Sequence, residues 1–448
     1  MKIKASLTVA LLALVGCGSA DDSASAPALP TEPNGSVPAP VNDSGLWDEA
    51  GRPLPNPLPN APGDVLDSGA TASDGASDGG TLSVACAATT AGTNACGCKP
   101  NGTLYCWGEN GLGQLGNGST ASSSTPVVVS GAMGRVAEVI VLGQSACART
   151  AAGSVWCWGA NGRGQLGDGT TIQRTSPVLV SDLGTNVVQL SGGDIGGPGG
   201  DIHFCAVRGD GTAYCWGSNV QGELGDGSKV QRSKPVQVAA LGTSVLGIST
   251  GGAHTCALKK DRTVWCWGDG RFGLGGPQLS NLAPTQIVSL GASVATLAAG
   301  TAHECAAKLD GTLWCWGYNP LGQLGDGTST DRLQPVQVTG VSGVVGVSAS
   351  GFHTCSLGNT GAIFCWGAGS YGQLGNGLFG TSYSTPAIAM ASGARSVSAG
   401  GSLVAQPLGA SCATKLDGSV WCWGAGQVGQ RGDGSTTVRI SVPVLTLL

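Results

Sequence analysis

Charge is scarce in this chain: of 448 residues only 11% are Asp, Glu, Lys or Arg, and only 5% are aromatic. What charge there is sits unevenly. Residues 18–82 hold ten acids (Asp21, Asp22, Glu32, Asp43, Asp48, Glu49, Asp64, Asp67, Asp74, Asp78) against one base, Arg52. With −9 there, +2 from Lys2 and Lys4 in residues 1–17, and −5 overall, residues 83–448 are left at +2. A body that close to neutral lacks the basic footprint that nucleic acid requires, so no nucleic-acid partner is expected. The 78 glycines lack a Gly-x-y period, which excludes collagen. Glycine also costs roughly 1 kcal/mol against alanine inside a helix, which argues against a mostly helical fold. Apolar residues at 41% supply a core, so disorder throughout is excluded as well.

Lys2 and Lys4 precede residues 5–16, an apolar run too short for the roughly 20 residues that span a bilayer. The run fits the h-region of a signal peptide. It ends Leu14-Val15-Gly16-Cys17, which resembles a bacterial lipobox; an ordinary signal peptide with a chance cysteine is the alternative. That resemblance implies acylation of Cys17 and stable anchoring by more than one chain. Gly18 follows, not the aspartate that marks inner-membrane retention in some bacteria. The expected location is therefore the outer membrane or surface of a Gram-negative bacterium. Residues 18–82 contain ten of the 22 prolines among Ser, Ala, Gly and Asp. They read as a disordered tether that holds residues 83–448 clear of the membrane.

From residue 83 onward the chain repeats. Cys-Trp-Gly recurs with its cysteine at 106, 157, 215, 266, 315, 365 and 422, and each has another cysteine ten residues earlier: Cys96, Cys147, Cys205, Cys256, Cys305, Cys355 and Cys412. An aromatic precedes each second cysteine: Tyr105, Trp156, Tyr214, Trp265, Trp314, Phe364 and Trp421. A glycine-rich run follows, then a proline-bearing segment such as Pro177-Val178. Each unit of about 50 residues reads as four short antiparallel strands, with the proline on the last, where a missing N–H is tolerated at an edge. The expected fold is all-β, a seven-bladed β-propeller of four-stranded blades.

The same residues resemble the regulator-of-chromosome-condensation repeat family. The pattern appears as His303, then Asp310-Gly311, then Cys315-Trp316-Gly317-Tyr318-Asn319-Pro320-Leu321-Gly322-Gln323-Leu324-Gly325-Asp326-Gly327. The resemblance covers all seven units and implies a seven-bladed propeller. Unit four departs, because Gly268-Asp269-Gly270-Arg271-Phe272-Gly273-Leu274-Gly275 is two residues short. The resemblance implies recognition of another protein through a propeller face; one secreted bacterial relative of the fold inhibits β-lactamases. It also implies, as an alternative, nucleotide exchange on a small GTPase, which an exported chain would not meet. A glycan-binding or glycan-processing surface protein is a third reading.

In a hairpin centred on its turn, residues ten apart face each other within disulfide range. Cys96–Cys106, Cys147–Cys157, Cys205–Cys215, Cys256–Cys266, Cys305–Cys315, Cys355–Cys365 and Cys412–Cys422 are therefore expected to bond, with Cys86 and Cys98 as a remaining pair. Metal ligation is the rival, but no Cys-x-x-Cys occurs. Strand alternation puts Trp156 and Trp158 on one face and Cys157 on the other, either to fill the wedge between blades or to stack sugars.

A candidate binding face follows from the turns. The loop before each first cysteine shares a face with the Gly-Gln-Leu-Gly loop. His203, His254, His303 and His353 lie there, two residues before a first cysteine. Each imidazole is expected to bond its own blade's loop backbone, with metal binding as the sharper alternative. Two units carry about seven extra residues on this face. One insertion brings Asp194 and Asp201; the other brings Leu403, Gln406 and Leu408. Drift and ligand binding are both open for them. The Gly-Asp-Gly tips (Asp168, Asp226, Asp326, Asp433) look like tight turns rather than calcium loops, since each brings about one carboxylate where calcium takes six to eight oxygens. No residues are singled out as catalytic, and no cofactor or metal is expected. The chain is expected to be a monomer that meets the membrane only through its lipid.

Overall fold

The computed structural model describes residues 89–90, 93–99, 101–195, 201–270, 280–380, 382–401 and 409–447. Cys17, residues 18–82, Cys86, Leu403, Gln406 and Leu408 lie outside the described residues, as do Arg271 to Gly275 of the short unit. The chain divides into two units, 1–66 and 67–448, and every described residue belongs to the second.

The second unit is a seven-bladed propeller. Its seven sheets each hold four antiparallel strands in sequence order. In blade 2 these are Val136–Val141, Ser145–Thr150, Val155–Gly159 and Arg174–Leu179. The other blades repeat this meander, from Thr89–Thr90 as the first strand of blade 1 to Arg439–Leu445 as the last strand of blade 7. First strands surround the axis and fourth strands form the outer rim. The rim edge is protected chemically, because every fourth strand carries a proline: Pro126, Pro177, Pro235, Pro284, Pro335, Pro386 and Pro443. A strand without that N–H is a poor template for a further strand.

The middle hairpin of each blade is the conserved unit of the repeat within this chain. Its register sets each first cysteine opposite the second, Cys147 against Cys157 in blade 2. Seven disulfides join these pairs, with Cα atoms 4.0 or 4.1 Å apart. Cys98 is disulfide-bonded as well; Cys86, its expected partner, lies outside the described residues.

The core lies between blades. One cluster joins Leu166, Val180 and Leu183 of blade 2 to Leu190, Ile202, Phe204 and Trp216 of blade 3. The two aromatics of each third strand have different fates. The second, such as Trp158 or Trp216, is fully buried. Covering about 150–250 Å² of tryptophan is worth about 4–6 kcal/mol as an upper bound. The first is half-buried, and in several blades a cation lies over its ring: Lys259 is 5.0 Å from the Trp265 centroid and Lys415 4.2 Å from that of Trp421.

Candidate functional site

The face carrying the turns between first and second strands also carries the long loops between third and fourth strands. These loops are built by side chains folded onto their own backbone. In blade 2, Asn161 accepts from Leu166 N at 3.0 Å and donates through Nδ2 to Thr170 O and Ile172 O. Gln165 Oε1 accepts from Arg163 N at 2.8 Å. Asp168 Oδ1 accepts from Thr170 N and its hydroxyl, and Oδ2 accepts from Arg174. Burial opposes ionisation of Asp168, but the Thr170 and Arg174 bonds outweigh it and hold the carboxyl below its usual range. Asp226 and Asp326 repeat the arrangement with Arg232 and Arg332. Their oxygens are spent on the turn. Among the described residues no group of three or more His, Cys, Asp or Glu is placed to hold a metal ion.

Blade 7 solves the same loop differently. Gly426 stands where Asn161 stands in blade 2, and Arg431 stands where Leu166 does. The Arg431 side chain folds into the space left by the missing asparagine. Its Nη1 donates to Thr437 O at 2.8 Å and its Nε to Asp433 at 3.1 Å. A side chain on Gly426 would collide with that guanidinium.

Six of these loops, among the described residues, grip the next blade. Trp158 Nε1 donates to Gln114 O, Trp216 to Gln165 O, Trp267 to Glu223 O, Trp366 to Gln323 O and Trp423 to Gln373 O, at 2.8 or 2.9 Å. Trp107 of blade 1 donates to Gln430 O of blade 7 at 2.9 Å, so the same bond closes the ring.

The four histidines lie on this face but are buried, at 0 or 1% exposure. The expected bond to each blade's own loop backbone is replaced by one to the following blade. His203 Nε2 meets Thr255 Oγ1 at 2.9 Å, His303 Nε2 meets Thr354 Oγ1 at 2.8 Å, and His353 Nε2 meets Ser411 Oγ at 2.8 Å. His254 Nε2 lies 3.3 Å from Glu304 Oε2. The reason is geometric: the ring lies across the seam, where the neighbour's residue just before its first cysteine points back. Burial, with the charge of His254 as a smaller cause, pushes His203 down to about 3; burial with His254 and His353 does the same for His303, and burial alone for His353. These three are neutral imidazoles. Burial pushes the Glu304 carboxyl up.

Nearer the axis the turns bond backbone to backbone. Gly252 N donates to Thr301 O, Thr301 N to Ser350 O, and Gly351 N to Gly401 O. They surround a recess of roughly 80 Å³, half of whose lining residues are glycine, with Asp194 as the one charged side chain among the described residues. Asp194 ends the first strand of blade 3, and Asp201 pairs with Arg163 at 2.8 Å. The two units with insertions have longer first strands here: Val187–Asp194 and Ala394–Gly401 run eight residues against six in Val245–Thr250.

Two Gly-x-Ser-x-Gly matches occur in the chain. Residues 75–79 lie outside the described residues. The other, Gly247 to Gly251, sets Ser249 within a first strand, where its Oγ accepts from Ala299 N at 2.7 Å. A nucleophile elbow needs a sharp strand-to-helix turn, so the second match has the wrong setting.

Thr255, Glu304, Thr354 and Ser411 are functional residues of the seam that single-unit reading misses. A signal for them exists across units. Wherever a blade has histidine two before its first cysteine, the next blade has a polar residue one before its own. Blades 1, 2 and 7 have Asn94, Ser145 and Ala410 at the histidine position, and the blades that follow them have Ala146, Phe204 and Ala95.

The model of the Regulator of chromosome condensation (RCC1) repeat matches residues 101–148, 152–194, 210–258, 310–357 and 360–405. A second model of that repeat matches 245–274, 294–323 and 344–373. The Arabidopsis thaliana RCC1 domain-containing protein RUG3, mitochondrial, is 30% identical over 203 residues, 43% of this chain and 44% of that one. The ultraviolet-B receptor UVR8 of the same plant is 32% identical over 241 residues, 52% of this chain and 53% of that one. The matched stretches thus span about half the length of these relatives. Among solved structures, Prp20p from Saccharomyces cerevisiae, described with its binding to Gsp1p and histones, superposes with a TM-score of 0.64 at 23% identity, over 77% of this chain and 85% of that one.

Proposed function

Because the chain belongs to the Regulator of chromosome condensation (RCC1) repeat family, we propose that it is a non-enzymatic protein-binding scaffold, exported and held at the cell surface by a lipid on Cys17. The observation that carries this reading is where the ring is uniform and where it varies. Trp, Gln and His of the repeat are spent on seams between blades. The departures from the repeat gather on one face, at the lengthened turns of blades 3 and 7. Loops that differ on a scaffold that does not are the usual seat of recognition. Prp20p, which shares the fold, was described with protein partners, and a protein is the ligand class proposed here. The lipid anchor rests on Lys2, Lys4, the apolar run and Cys17 in the sequence.

The test is capture from an envelope extract by the oxidised chain, compared with a variant lacking residues 194–200. The expected result is a protein retained by the intact chain and lost from the variant, with the thermal midpoint nearly unchanged. Retention by both, or capture of glycan in place of protein, contradicts the reading. Globomycin-sensitive acylation of Cys17, read as a mass increase abolished in Cys17→Ser, tests the anchor separately.

A further inference from the structure

The covariation between histidines and the following blade's polar residue divides the ring into two arcs. Across the seams from blade 3 to blade 7 the contact is an imidazole on a hydroxyl or carboxylate. Across the seams joining blades 7, 1, 2 and 3 the facing residue is buried Ala95, Ala146 or Phe204. We propose that the polar arc is an acid-operated seam: acidification opens its latches and loosens this face of blades 3 to 7, while the apolar arc and the disulfide-clipped blades stay closed.

The proton positions follow from the partners. Thr255 Oγ1 donates its only hydrogen to Glu223 O at 2.8 Å, Thr354 Oγ1 to Gln323 O at 2.8 Å, and Ser411 Oγ to Gln373 O at 2.9 Å. Each hydroxyl can then only accept from the histidine, so Nε2 carries the imidazole proton and Nδ1 carries none. Nδ1 is buried without a partner in His203 and His303. In His353 it meets Ser350 Oγ at 2.8 Å.

A second proton must go to Nδ1. In His203 and His303 it meets a glycine wall: a Cβ built on Gly193 would lie 2.9 Å from His203 Cε1, and one on Gly300 2.5 Å from His303 Nδ1. An imidazolium there has a buried donor with no protein acceptor, a cost that opening the turn relieves. The same turns are tied along the axis by Gly252 N to Thr301 O, Thr301 N to Ser350 O and Gly351 N to Gly401 O, so loosening one pulls on the next.

Charged groups near the belt are few. His254 faces Glu304 instead of a hydroxyl, and His353 Nδ1 has Ser350 Oγ beside it, so His203 and His303, whose Nδ1 atoms have no partner, carry the effect. Glu223 offers its backbone oxygen to Thr255, while its carboxylate accepts from Val220 N and Gln221 N. Glu138, paired with Arg149, reaches Leu190 N in the first strand of blade 3. Asp194 follows Gly193 along that strand, and Asp201 is held by Arg163.

Hydrogen exchange of the full oxidised chain, read by mass spectrometry and corrected for intrinsic rates, tests the proposal. Peptides covering the turns at Gly251, Gly300 and Ser350 report the polar arc, and one covering Gly143 reports the apolar arc. Below about pH 6.5 the opening constant in the polar arc should rise about tenfold per pH unit for each histidine released. The Gly143 turn should stay flat over the same range. In the triple variant His203→Gln, His303→Gln, His353→Gln the dependence should vanish. If that variant does not fold, His303→Gln alone should abolish it in the turns at Gly300 and Ser350. Equal acid response in both arcs, or a response that survives the substitutions, overturns the proposal.

Discussion

Gly167 sits where the loop of blade 2 meets the indole of blade 3, and replacing it with alanine probes that seam directly. Its φ is +68°, and a Cβ built there would lie 2.9 Å from Trp216 Nε1 and 3.0 Å from Val180 Cγ1. Three costs add. A non-glycine residue in the left-handed region costs about 1–2 kcal/mol. Forcing a methyl into a filled core costs about 1–3 kcal/mol. Displacing Trp216 from Gln165 O leaves a buried acceptor unpaired, for about 1–3 kcal/mol more. Gly167→Ala should therefore lose about 3–6 kcal/mol, allowing for incomplete additivity. Gly227, with φ of +80° and no atom within 4 Å of its built Cβ, isolates the first cost. Gly227→Ala should lose only about 1–2 kcal/mol. Urea unfolding of both oxidised variants, followed by tryptophan fluorescence, measures the gap, and hydrogen exchange near Trp216 should show the loss first at that seam. Equal losses in the two variants would refute the claim that the indole and the glycine of the preceding loop form one packed joint.

Trp107→Phe removes the donor to Gln430 O at the closing seam, so it should lower the urea midpoint and raise exchange most in blades 1 and 7; a loss spread evenly over all blades would contradict closure by that bond. Reducing the disulfides under native conditions and then unfolding should cost about 2–3 kcal/mol for each bridge that opens, and the sulfurs should resist reduction because all fourteen cysteines are fully buried; rapid labelling of the native chain by a thiol reagent after mild reductant would count against that burial. His203, His303 and His353 are held near 3, below the unfolded value of about 6.5, so the unfolded chain binds more protons between these limits and stability falls as pH falls through that window, by about 4 kcal/mol per pH unit when all three are released. Glu138, Glu223 and Glu304, pushed up by burial, act in the opposite direction, losing stability as pH rises through their folded values. A denaturation midpoint unchanged between neutral pH and about pH 5 would refute the histidine assignment.

Much of the ring is legible one unit at a time. Cys-Trp-Gly with a cysteine ten residues earlier defines a hairpin, because both cysteines and the turn belong to one blade and obey local strand geometry. The proline on each fourth strand places that strand at the rim for the same reason. Features that cross a seam are harder to read. The partner of His303 is Thr354, and the distance between them in sequence says nothing of their contact until the ring curvature is known. The difference between half-buried Trp156 and buried Trp158 has the same origin: both project from one side of the strand, but only one lies over the preceding blade's loop. Arg431 looks like a charge misplaced at a leucine position, and only Gly426 beside it in space explains why it is tolerated.

Non-reducing peptide mapping of the purified chain tests most directly the claim that seven blades are each clipped by their own bridge. The expected result is seven cross-linked peptides pairing Cys96 with Cys106, Cys147 with Cys157, Cys205 with Cys215, Cys256 with Cys266, Cys305 with Cys315, Cys355 with Cys365 and Cys412 with Cys422. Free thiols at these positions, or bridges joining cysteines of different blades, would contradict it.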